Sequence, residues 1–202
     1  MTDLRDHDTG DHIDRTTGFV RIMVEQLLES PCEGYKLTRS FADDIINSAK
    51  LHDLGKIGMP DSILFKKERL TQEEFSVVRM HPVNGGKFLD FFMRQMDDSF
   101  LNTARDIAHA HHERWDGSGY PLGLKGKEIP LPARIVAIAD VYDAITSQRP
   151  YKQAFPHEIA MRMITEGSGK HFDPHLVKIF EEHSEDVSLI ARGIDGRQAV
   201  FE

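Results

Sequence analysis

Hydrophobic residues recur along this chain at the three- and four-residue spacing of amphipathic helices, and no segment shows the strict alternation that predicts a strand. Helical periodicity is clear over residues 14–29, 39–52, 102–115 and 134–147. Further helices are predicted to begin at Pro156 and at Asp173-Pro174, because proline favours the first turn of a helix. The pattern therefore predicts an all-α fold, a single-domain helical bundle.

Two histidines fall at the ends of predicted helices. His52 lies on the stripe of residues that faces the core in the 39–52 helix, so it closes that element. Thr71 followed by Glu74 has the signature of a capping box, which opens a helix predicted to carry His81. Both imidazoles are therefore expected to point into the bundle.

The length of 202 residues suits one domain with a sizeable core. The helical patterning weakens towards the C-terminus, from about residue 190 onwards. We therefore predict a domain over residues 1–185 and a C-terminal appendage over residues 186–202, which forms a small cap or a tail.

The charge balance and the cysteine content exclude several classes of protein. A net charge of -8 argues against a surface for nucleic-acid polymers. The single cysteine, Cys32, excludes an internal disulfide and a cysteine-based zinc knuckle. No apolar run reaches the roughly 18 residues of a membrane span, and the N-terminal sequence MTDLRDHDTGDH does not look like a signal peptide. We expect a cytoplasmic protein without a membrane segment.

Candidate chemistry is concentrated in two motifs, His52-Asp53 in HDLGKIG and His111-His112 in HHERWDGSGYP. The first offers an imidazole beside a carboxylate that can bridge two cations, and the second adds two nitrogen ligands. His12 and His81 join them, since each also lies in a patterned context, beside an aspartate or a glycine-bearing break. Together these residues predict a polynuclear metal centre in the core of the bundle.

Asp140 lies in a predicted helix, residues 135–145, that is apolar almost all round and therefore buried. A buried carboxylate without a partner is costly, so this position requires a cation or hydrogen-bond donors. Metal ligation is the favoured interpretation, and a buried salt bridge is the alternative. Asp143, one turn later, is expected to orient a ligand or to cap a loop.

The order of these residues resembles that of a known family. His12, His52-Asp53 and Asp140 reproduce the H…HD…D order of the HD superfamily of metal-dependent phosphohydrolases. His81, His111-His112 and Gly119-Tyr120-Pro121 resemble its HD-GYP subfamily, the cyclic di-GMP phosphodiesterases of bacterial signalling. The resemblance spans roughly residues 5–185, and the presence of six motifs in the same order makes it specific.

The resemblance implies a role for each matching residue. One metal would be held by His12, His52, Asp53 and Asp140, and Asp53 would bridge to a second held by His81, His111 and His112. Positions that touch substrate phosphates in the family are matched by Lys56, Arg149 and Lys152, and Tyr120 would line the substrate pocket.

One departure from the family concerns Asp8. The family often has a glutamate four residues before its first ligand histidine, where some members bind a third metal. Because aspartate is one methylene shorter, a third ion would either lie closer to Asp8 or be missing. Asp8 is also near the start of the chain, where fraying is the default. The choice between two and three metals therefore stays open.

The expected cofactors are divalent ions, since imidazole and carboxylate ligands suit iron, manganese, zinc or nickel, with iron or manganese favoured. Two ions about 3.5–4 Å apart acidify a bridging water to a hydroxide nucleophile and polarise the phosphoryl oxygens. Asp53 and Lys56 are the predicted catalytic residues, with Lys56 neutralising the negative charge that develops.

The resemblance implies that the chain hydrolyses cyclic di-GMP to the linear dinucleotide pGpG, and from there to GMP. Three alternatives stay open: a phosphodiesterase of cyclic GMP-AMP, a cyclic-dinucleotide receptor without turnover, and a di-iron oxidoreductase. The implied partners beyond the substrate are a receiver or sensor domain or a GGDEF-type protein, and a homodimer is compatible with the sequence.

Overall fold

The computed structural model describes residues 10–66, 68–94, 98–148 and 153–193, and every regular element in these ranges is helical. The α-helices are α1 (Gly10–Glu29), α2 (Arg39–Ser48), α3 (Asp61–Leu64), α4 (Gln72–Val78), α5 (His81–Met93), α6 (Ser99–Ala110), α7 (Leu131–Thr146), α8 (His157–Glu166), α9 (Pro174–Glu182) and α10 (Ser184–Ala191). Short 3-10 turns cover Ala49–Leu51, Leu54–Gly58 and Gly126–Glu128. The prediction of an all-α fold is confirmed.

Helix α7 forms the centre of the bundle, because it is apolar on nearly every face and packs against α1, α6, α8 and α9. Phe19 of α1 and Phe180 of α9 contact Tyr142 of α7 edge to face, with ring centroids 5.0 and 5.2 Å away. Each such aromatic pair adds about 0.5–1.5 kcal/mol beyond the burial of its area. This core fixes the polar side chains that α1 and α7 carry.

The predicted 39–52 helix ends in two steps. Helix α2 begins at the cap residue Thr38, whose hydroxyl accepts the backbone N–H of Phe41, and it ends at Ser48. The chain then tightens into the 3-10 turn Ala49–Leu51, as helices often do in their last turn. His52 follows this turn directly and is buried, as expected.

The helix that begins after Thr71 ends earlier than predicted. Its capping box with Glu74 is present, but α4 stops at Val78, and His81 begins the separate helix α5. The reason is Pro82, which has no N–H to donate to the carbonyl of Val78. That carbonyl instead accepts a hydrogen bond from Nδ1 of His81 at 2.7 Å. The break therefore gives the imidazole a fixed orientation.

Helix α5 has no counterpart among the predicted elements, and it contains two adjacent glycines, Gly85 and Gly86, which lower helix propensity. In the structure these glycines permit close packing. A Cβ atom on Gly55 would overlap the carbonyl oxygen of His81 and come 2.5 Å from the backbone nitrogen of Gly85. The segment after His52-Asp53 is thereby held directly against α5.

Two further differences concern helix ends. Helix α6 stops at Ala110, whereas the prediction extended it to residue 115. The predicted domain boundary after residue 185 falls within α10, which packs against α1 and buries Val187 in the main core. The part of the predicted appendage that the structure describes is thus packed on the bundle.

Among the described residues, no helix combines the length and apolar character that a membrane crossing requires.

Candidate metal centre

The predicted metal ligands that fall within the described ranges come together in the middle of the bundle. They are His12 on α1, His52 and Asp53 after the first 3-10 turn, His81 at the start of α5, His111 and His112 after α6, and Asp140 on α7. Asp8, Arg149 and Lys152, which were also predicted to take part, lie outside the described residues.

The ligand atoms form two groups that share one residue. Within each group the donor atoms lie within 4.8 Å of one another, and the groups are His12, His52 and Asp53, and Asp53, His81, His111 and His112. We call His12, His52 and Asp140 the His52 half of the centre, and His81, His111 and His112 the His111 half. Asp53 belongs to both groups.

Backbone carbonyls fix the orientation of three imidazoles. In each case the ring Nδ1 lies within hydrogen-bond distance of a carbonyl oxygen three or four residues earlier in the chain. The distances are 2.9 Å for His52 to Ala49, 2.7 Å for His81 to Val78 and 3.0 Å for His111 to Ile107. Because Nδ1 then carries the proton, Nε2 presents a lone pair to the centre. Metal-bound histidines in proteins are usually held in this way.

The fourth imidazole, that of His12, is oriented by a carboxylate. Its Nδ1 lies 2.7 Å from Oδ2 of Asp143. Arg15 holds the same carboxylate with Nε 2.5 Å from Oδ1, and Ser147 donates its hydroxyl to Oδ2 at 3.0 Å. These charge-assisted bonds make Asp143 a positioning residue for His12.

The inward lone pairs face each other at short distances. Nε2 of His12 is 3.4 Å from Nε2 of His52, and Nε2 of His81 is 3.4 Å from Nε2 of His111. Two neutral acceptor atoms repel unless a proton or a cation lies between them. Ligand atoms bound to one ion at about 2.1 Å cannot be more than about 4.2 Å apart. These imidazole pairs therefore fit metal ions.

Asp53 contributes one carboxylate oxygen to each half. Its Oδ2 is 3.3 Å from Nε2 of His52 and 2.5 Å from Nζ of Lys56, whereas Oδ1 is 3.0 Å from Nε2 of His81 and 3.8 Å from that of His111. Burial would raise the pKa of Asp53, but Lys56 and His52 hold it well below its usual range. The carboxylate is therefore ionised and shaped to bridge.

Two of the ligand atoms at the centre are buried without a hydrogen-bond partner among the described residues. They are Oδ1 of Asp53 and Nε2 of His112. Unsatisfied buried polar atoms are costly and mark positions where a cation or a ligand belongs. Asp140 completes the site from α7, with Oδ1 4.0 Å from Nε2 of His12 and 3.9 Å from that of His52.

The two halves differ in how they hold a proton. Burial lowers the pKa of His52, but Asp53 and Asp140 more than offset it and raise that pKa to about 9. Burial lowers the pKa of His111 to about 3, and it holds that of His112 well below the usual range. The His52 half thus favours positive charge even without a metal, while burial keeps His111 and His112 neutral.

Lys56 and Tyr120, which were predicted to meet the substrate, both border the centre. Lys56 is buried, and its ammonium contacts Asp53. The Tyr120 ring stacks on that of His112, with centroids 4.9 Å apart and planes 24° apart. The Tyr120 hydroxyl is buried and has no hydrogen-bond partner among the residues with a described position. Its donor is therefore available to a ligand.

The loop that carries Tyr120 is held by a residue that the sequence analysis did not identify. Glu113 is 2% exposed, and its carboxylate accepts the backbone N–H groups of Leu122, Gly123 and Leu124 at 2.6, 3.1 and 3.1 Å. At Gly119, a Cβ atom would overlap the backbone of Arg114 and Glu113. The sequence does carry a signal for this role of Glu113. It is an acidic residue directly after the His111-His112 pair and ahead of a glycine-rich loop.

Two arginines near the centre were also missed. Arg15 follows His12 by three residues and so shares its helix face. This spacing could have predicted that Arg15 and His12 contact the same residue, Asp143. Arg79 lies with its guanidinium carbon 4.3 Å above the Tyr120 ring. No pattern in the sequence connects Arg79 and Tyr120, which are brought together only by the fold.

Comparison with known proteins places this arrangement in a family. Residues 8–176 match the family model described as HD domain. A cyclic di-GMP phosphodiesterase of Vibrio cholerae is 46% identical over 95% of this chain and 39% of its own length. A 3'3'-cGAMP-specific phosphodiesterase 2 of the same organism is 38% identical over 93% of this chain and 34% of its own length. The chain therefore spans less than half of each relative.

A solved structure supports the fold. The HDG"Y"P protein Bd1817 from Bdellovibrio bacteriovorus superimposes with a TM-score of 0.61 at 18% sequence identity, over 89% of this chain and 55% of that protein. At this level of identity the likeness concerns the architecture alone.

Proposed function

Because this chain belongs to the HD domain family, as its motifs led us to expect, we propose that it is a metal-dependent phosphodiesterase that hydrolyses cyclic di-GMP. The observation that carries the proposal is the convergence of four imidazole Nε2 atoms on the two oxygens of the Asp53 carboxylate. A relative with 46% identity that is named as a cyclic di-GMP phosphodiesterase supports this substrate.

We assign the metals to the two halves of the centre. One ion would be held by His12, His52, Asp53 and Asp140, and the other by Asp53, His81, His111 and His112. Iron or manganese suits this mixture of nitrogen and oxygen ligands. When bound, two such ions supply an acidified water and polarise the phosphoryl oxygens. The backbone and Asp143 hold the imidazoles in place for them.

The protein's own groups would bind and orient the substrate beside the ions. Lys56 can donate from its buried ammonium to a phosphate oxygen, since it already lies at the edge of the Asp53 carboxylate. The unpartnered Tyr120 hydroxyl can donate to a second acceptor of the substrate. Arg149 and Lys152 are proposed as further phosphate contacts on sequence grounds alone. We expect Arg149→Ala to weaken substrate binding while the bound metal is retained.

Cleavage would open the ring to pGpG, and a second cleavage would release GMP. We propose Asp8 as a ligand of a third ion that assists this second step, in which a terminal phosphate with extra negative charge must be stabilised. Asp8→Ala should then spare ring opening and cause pGpG to accumulate, as chromatography over time would reveal. If Asp8→Ala still converts pGpG to GMP at the original rate, Asp8 is not part of the site.

A second substrate, cyclic GMP-AMP, is supported by one specific observation, the 38% identity with a relative that is named as specific for it. Both substrates have two phosphodiester bonds and at least one guanine, so the metal centre alone does not separate them. A regulatory receiver or sensor domain, a GGDEF-type partner and a homodimer stay predictions, as does a cytoplasmic location.

The function is tested with protein purified without oxygen, its metal content measured, and iron or manganese added back. Incubation with cyclic di-GMP and with cyclic GMP-AMP, followed by chromatography, should show metal-dependent hydrolysis, with cyclic di-GMP turned over faster. The control is Asp53→Ala, which removes the shared ligand. Binding of the dinucleotide without turnover would indicate a receptor, and metal-dependent oxygen consumption without hydrolysis would indicate an oxidoreductase.

A further inference from the structure

Arg79 extends the row of stacked side chains that begins at the metal centre. It is the residue that caps α4, two positions before His81. Its guanidinium lies 4.3 Å above the Tyr120 ring, and the same ring stacks on that of His112. Arg79 is therefore separated from a proposed metal ligand by a single aromatic side chain. Its position is at the rim of the centre, where the Tyr120 ring ends and solvent begins.

The N–H groups of the Arg79 side chain form no hydrogen bond or ion pair within the described part of the chain. Its side chain is exposed, and no carboxylate of the described residues lies within 4.0 Å of its nitrogens. By contrast, Arg15 and Arg134 each contact a buried aspartate. An arginine that packs its face on an aromatic ring keeps the N–H groups of its edge free. Arg79 thus presents a positioned fork of donors beside the centre.

We propose that Arg79 binds the guanine base of the substrate, with two N–H groups donating to O6 and N7. This inference rests on the proposed hydrolysis of cyclic di-GMP. A scissile phosphate would be held by the metals and by Lys56, which contacts Asp53, whereas Arg79 lies on the Tyr120 ring that stacks on His112. Two acceptor pairs then remain, the oxygens of the second phosphate and the edge of a guanine. Since Arg149 and Lys152 are proposed for phosphate, we assign the guanine edge to Arg79. Adenine carries an amino donor in place of O6, so the contact would favour guanine.

The consequence is a specificity residue outside the metal ligands. A bidentate arginine–guanine pair discriminates against the wrong base by about 1–3 kcal/mol, which is about 5- to 150-fold in affinity. Phosphate oxygens also present paired acceptors to an arginine, so the test has to separate the base from the phosphate. The nucleotides 5′-GMP and 5′-AMP share their phosphate and differ only in the base, and inorganic phosphate has no base.

The experiment compares Arg79→Ala and Arg79→Lys with the unsubstituted protein. The control is Arg162→Ala, since Arg162 is exposed on α8, which packs against α7 and α9. For each metal-loaded protein, kcat and KM are measured with cyclic di-GMP. Binding of 5′-GMP, 5′-AMP and inorganic phosphate is measured by calorimetry. Metal content and melting temperature are recorded to show that the centre and the fold are intact.

We expect Arg79→Ala to raise KM and to weaken 5′-GMP binding about 5- to 150-fold, with kcat, metal content and phosphate binding close to the original values. Arg79→Lys should not restore 5′-GMP binding, because an ammonium lacks the planar fork. Equal weakening of all three ligands, or no change in any, would overturn the assignment. If the unsubstituted protein hydrolyses no cyclic dinucleotide, the proposed function fails. The role of Arg79 in guanine binding can then still be tested. It is supported if the unsubstituted protein prefers 5′-GMP to 5′-AMP and Arg79→Ala loses that preference, and it is refuted if the unsubstituted protein has no such preference.

Discussion

The two halves of the metal centre use the same ligand, histidine, in opposite electrostatic settings. In the His52 half, carboxylates surround the imidazoles and raise the pKa of His52 to about 9. In the His111 half, Asp53 supplies the nearby carboxylate oxygen, and burial lowers the pKa of His111 to about 3. One half is therefore prepared for positive charge before any metal binds. In the other half, burial keeps His111 and His112 neutral, so their lone pairs are available to a metal.

This difference indicates what each half would contribute to the proposed two-metal site. A proton on His52 can occupy the place of a cation in the His52 half. In the His111 half, burial lowers the pKa of His111 and of His112, and Nε2 of His112 stays unsatisfied among the described residues. The geometry of the second half must then come from the backbone, through the carbonyls that hold His81 and His111. Substitutions at the junction of the halves should have the largest effects.

Asp53→Ala should produce the largest loss, because each half takes one oxygen from this carboxylate. We expect bound metal to fall below one equivalent and hydrolysis to fall by more than about 1,000-fold, which corresponds to roughly 4 kcal/mol. Metal analysis and turnover measurements check both. The exposed Asp43→Ala serves as the control. Retention of two equivalents of metal in Asp53→Ala would show that Asp53 does not bridge.

Gly55→Ala should push the segment that carries His52 and Asp53 away from helix α5, which carries His81. The added Cβ would overlap the carbonyl oxygen of His81, so the segment after Asp53 could not stay against α5. Overpacking of this kind costs about 3 kcal/mol, and we expect that loss in the free energy of unfolding measured with urea. Gly58→Ala is the matched control, since its Cβ would meet no atom within 4 Å. Equal stability of the two variants would contradict the role of the close contact.

Asp143→Asn should weaken the His52 half alone. The substitution removes the charge that holds His12 and Arg15, and it lets an amide N–H face the imidazole. Loss of such a partner costs about 10- to 100-fold in metal affinity. Competition with a chelator should show this loss for one of two equivalents, and Asp43→Asn, in an exposed pair with Arg39, should show none. Weakening of both equivalents would mean that the halves do not act separately.

The sequence predicted which residues come together at the candidate centre better than it predicted the helices that carry them. His52-Asp53 and His111-His112 are recognisable because residue type and spacing point to metal binding before any fold is known. Helix α5 was missed; it contains Gly85-Gly86, which lower helix propensity, and the close approach of Gly55 to it is a tertiary contact. Likewise, the helix that starts after Thr71 was extended too far, because the effect of Pro82 was not taken into account.

The residues around the ligands were harder to predict for a different reason. Glu113, Arg79 and Arg15 act through partners that lie elsewhere in the chain. Their own sequence contexts are those of ordinary charged residues, and a charge pattern alone does not reveal a tertiary contact. The fold class could be predicted from helical periodicity alone, whereas these contacts required the packed structure.

The last expected effect is a pH dependence that differs between the halves in protein kept free of metal by a chelator. Since the pKa of His52 is raised from about 6.5 to about 9, its protonated form stabilises the fold fully below pH 6.5. That contribution is lost as the pH rises towards 9. For His111 the pKa is lowered to about 3, so the unfolded chain takes up a proton below pH 6.5 and the folded protein does not. Stability from this group is lost as the pH falls.

Each slope is at most about 1.4 kcal/mol per pH unit for one proton, and urea unfolding between pH 5 and pH 9 would measure it. We expect stability to peak near pH 6.5 and to decline on both sides. His52→Gln should reduce the alkaline slope, to which the raised pKa of His12 also contributes. His111→Gln should reduce the acidic slope, to which the lowered pKa values of His112 and His171 also contribute. Saturating metal should abolish the alkaline decline, since an ion then replaces the proton on His52. An alkaline slope unchanged in His52→Gln would show that another group carries the proton, and the contrast between the halves would not hold.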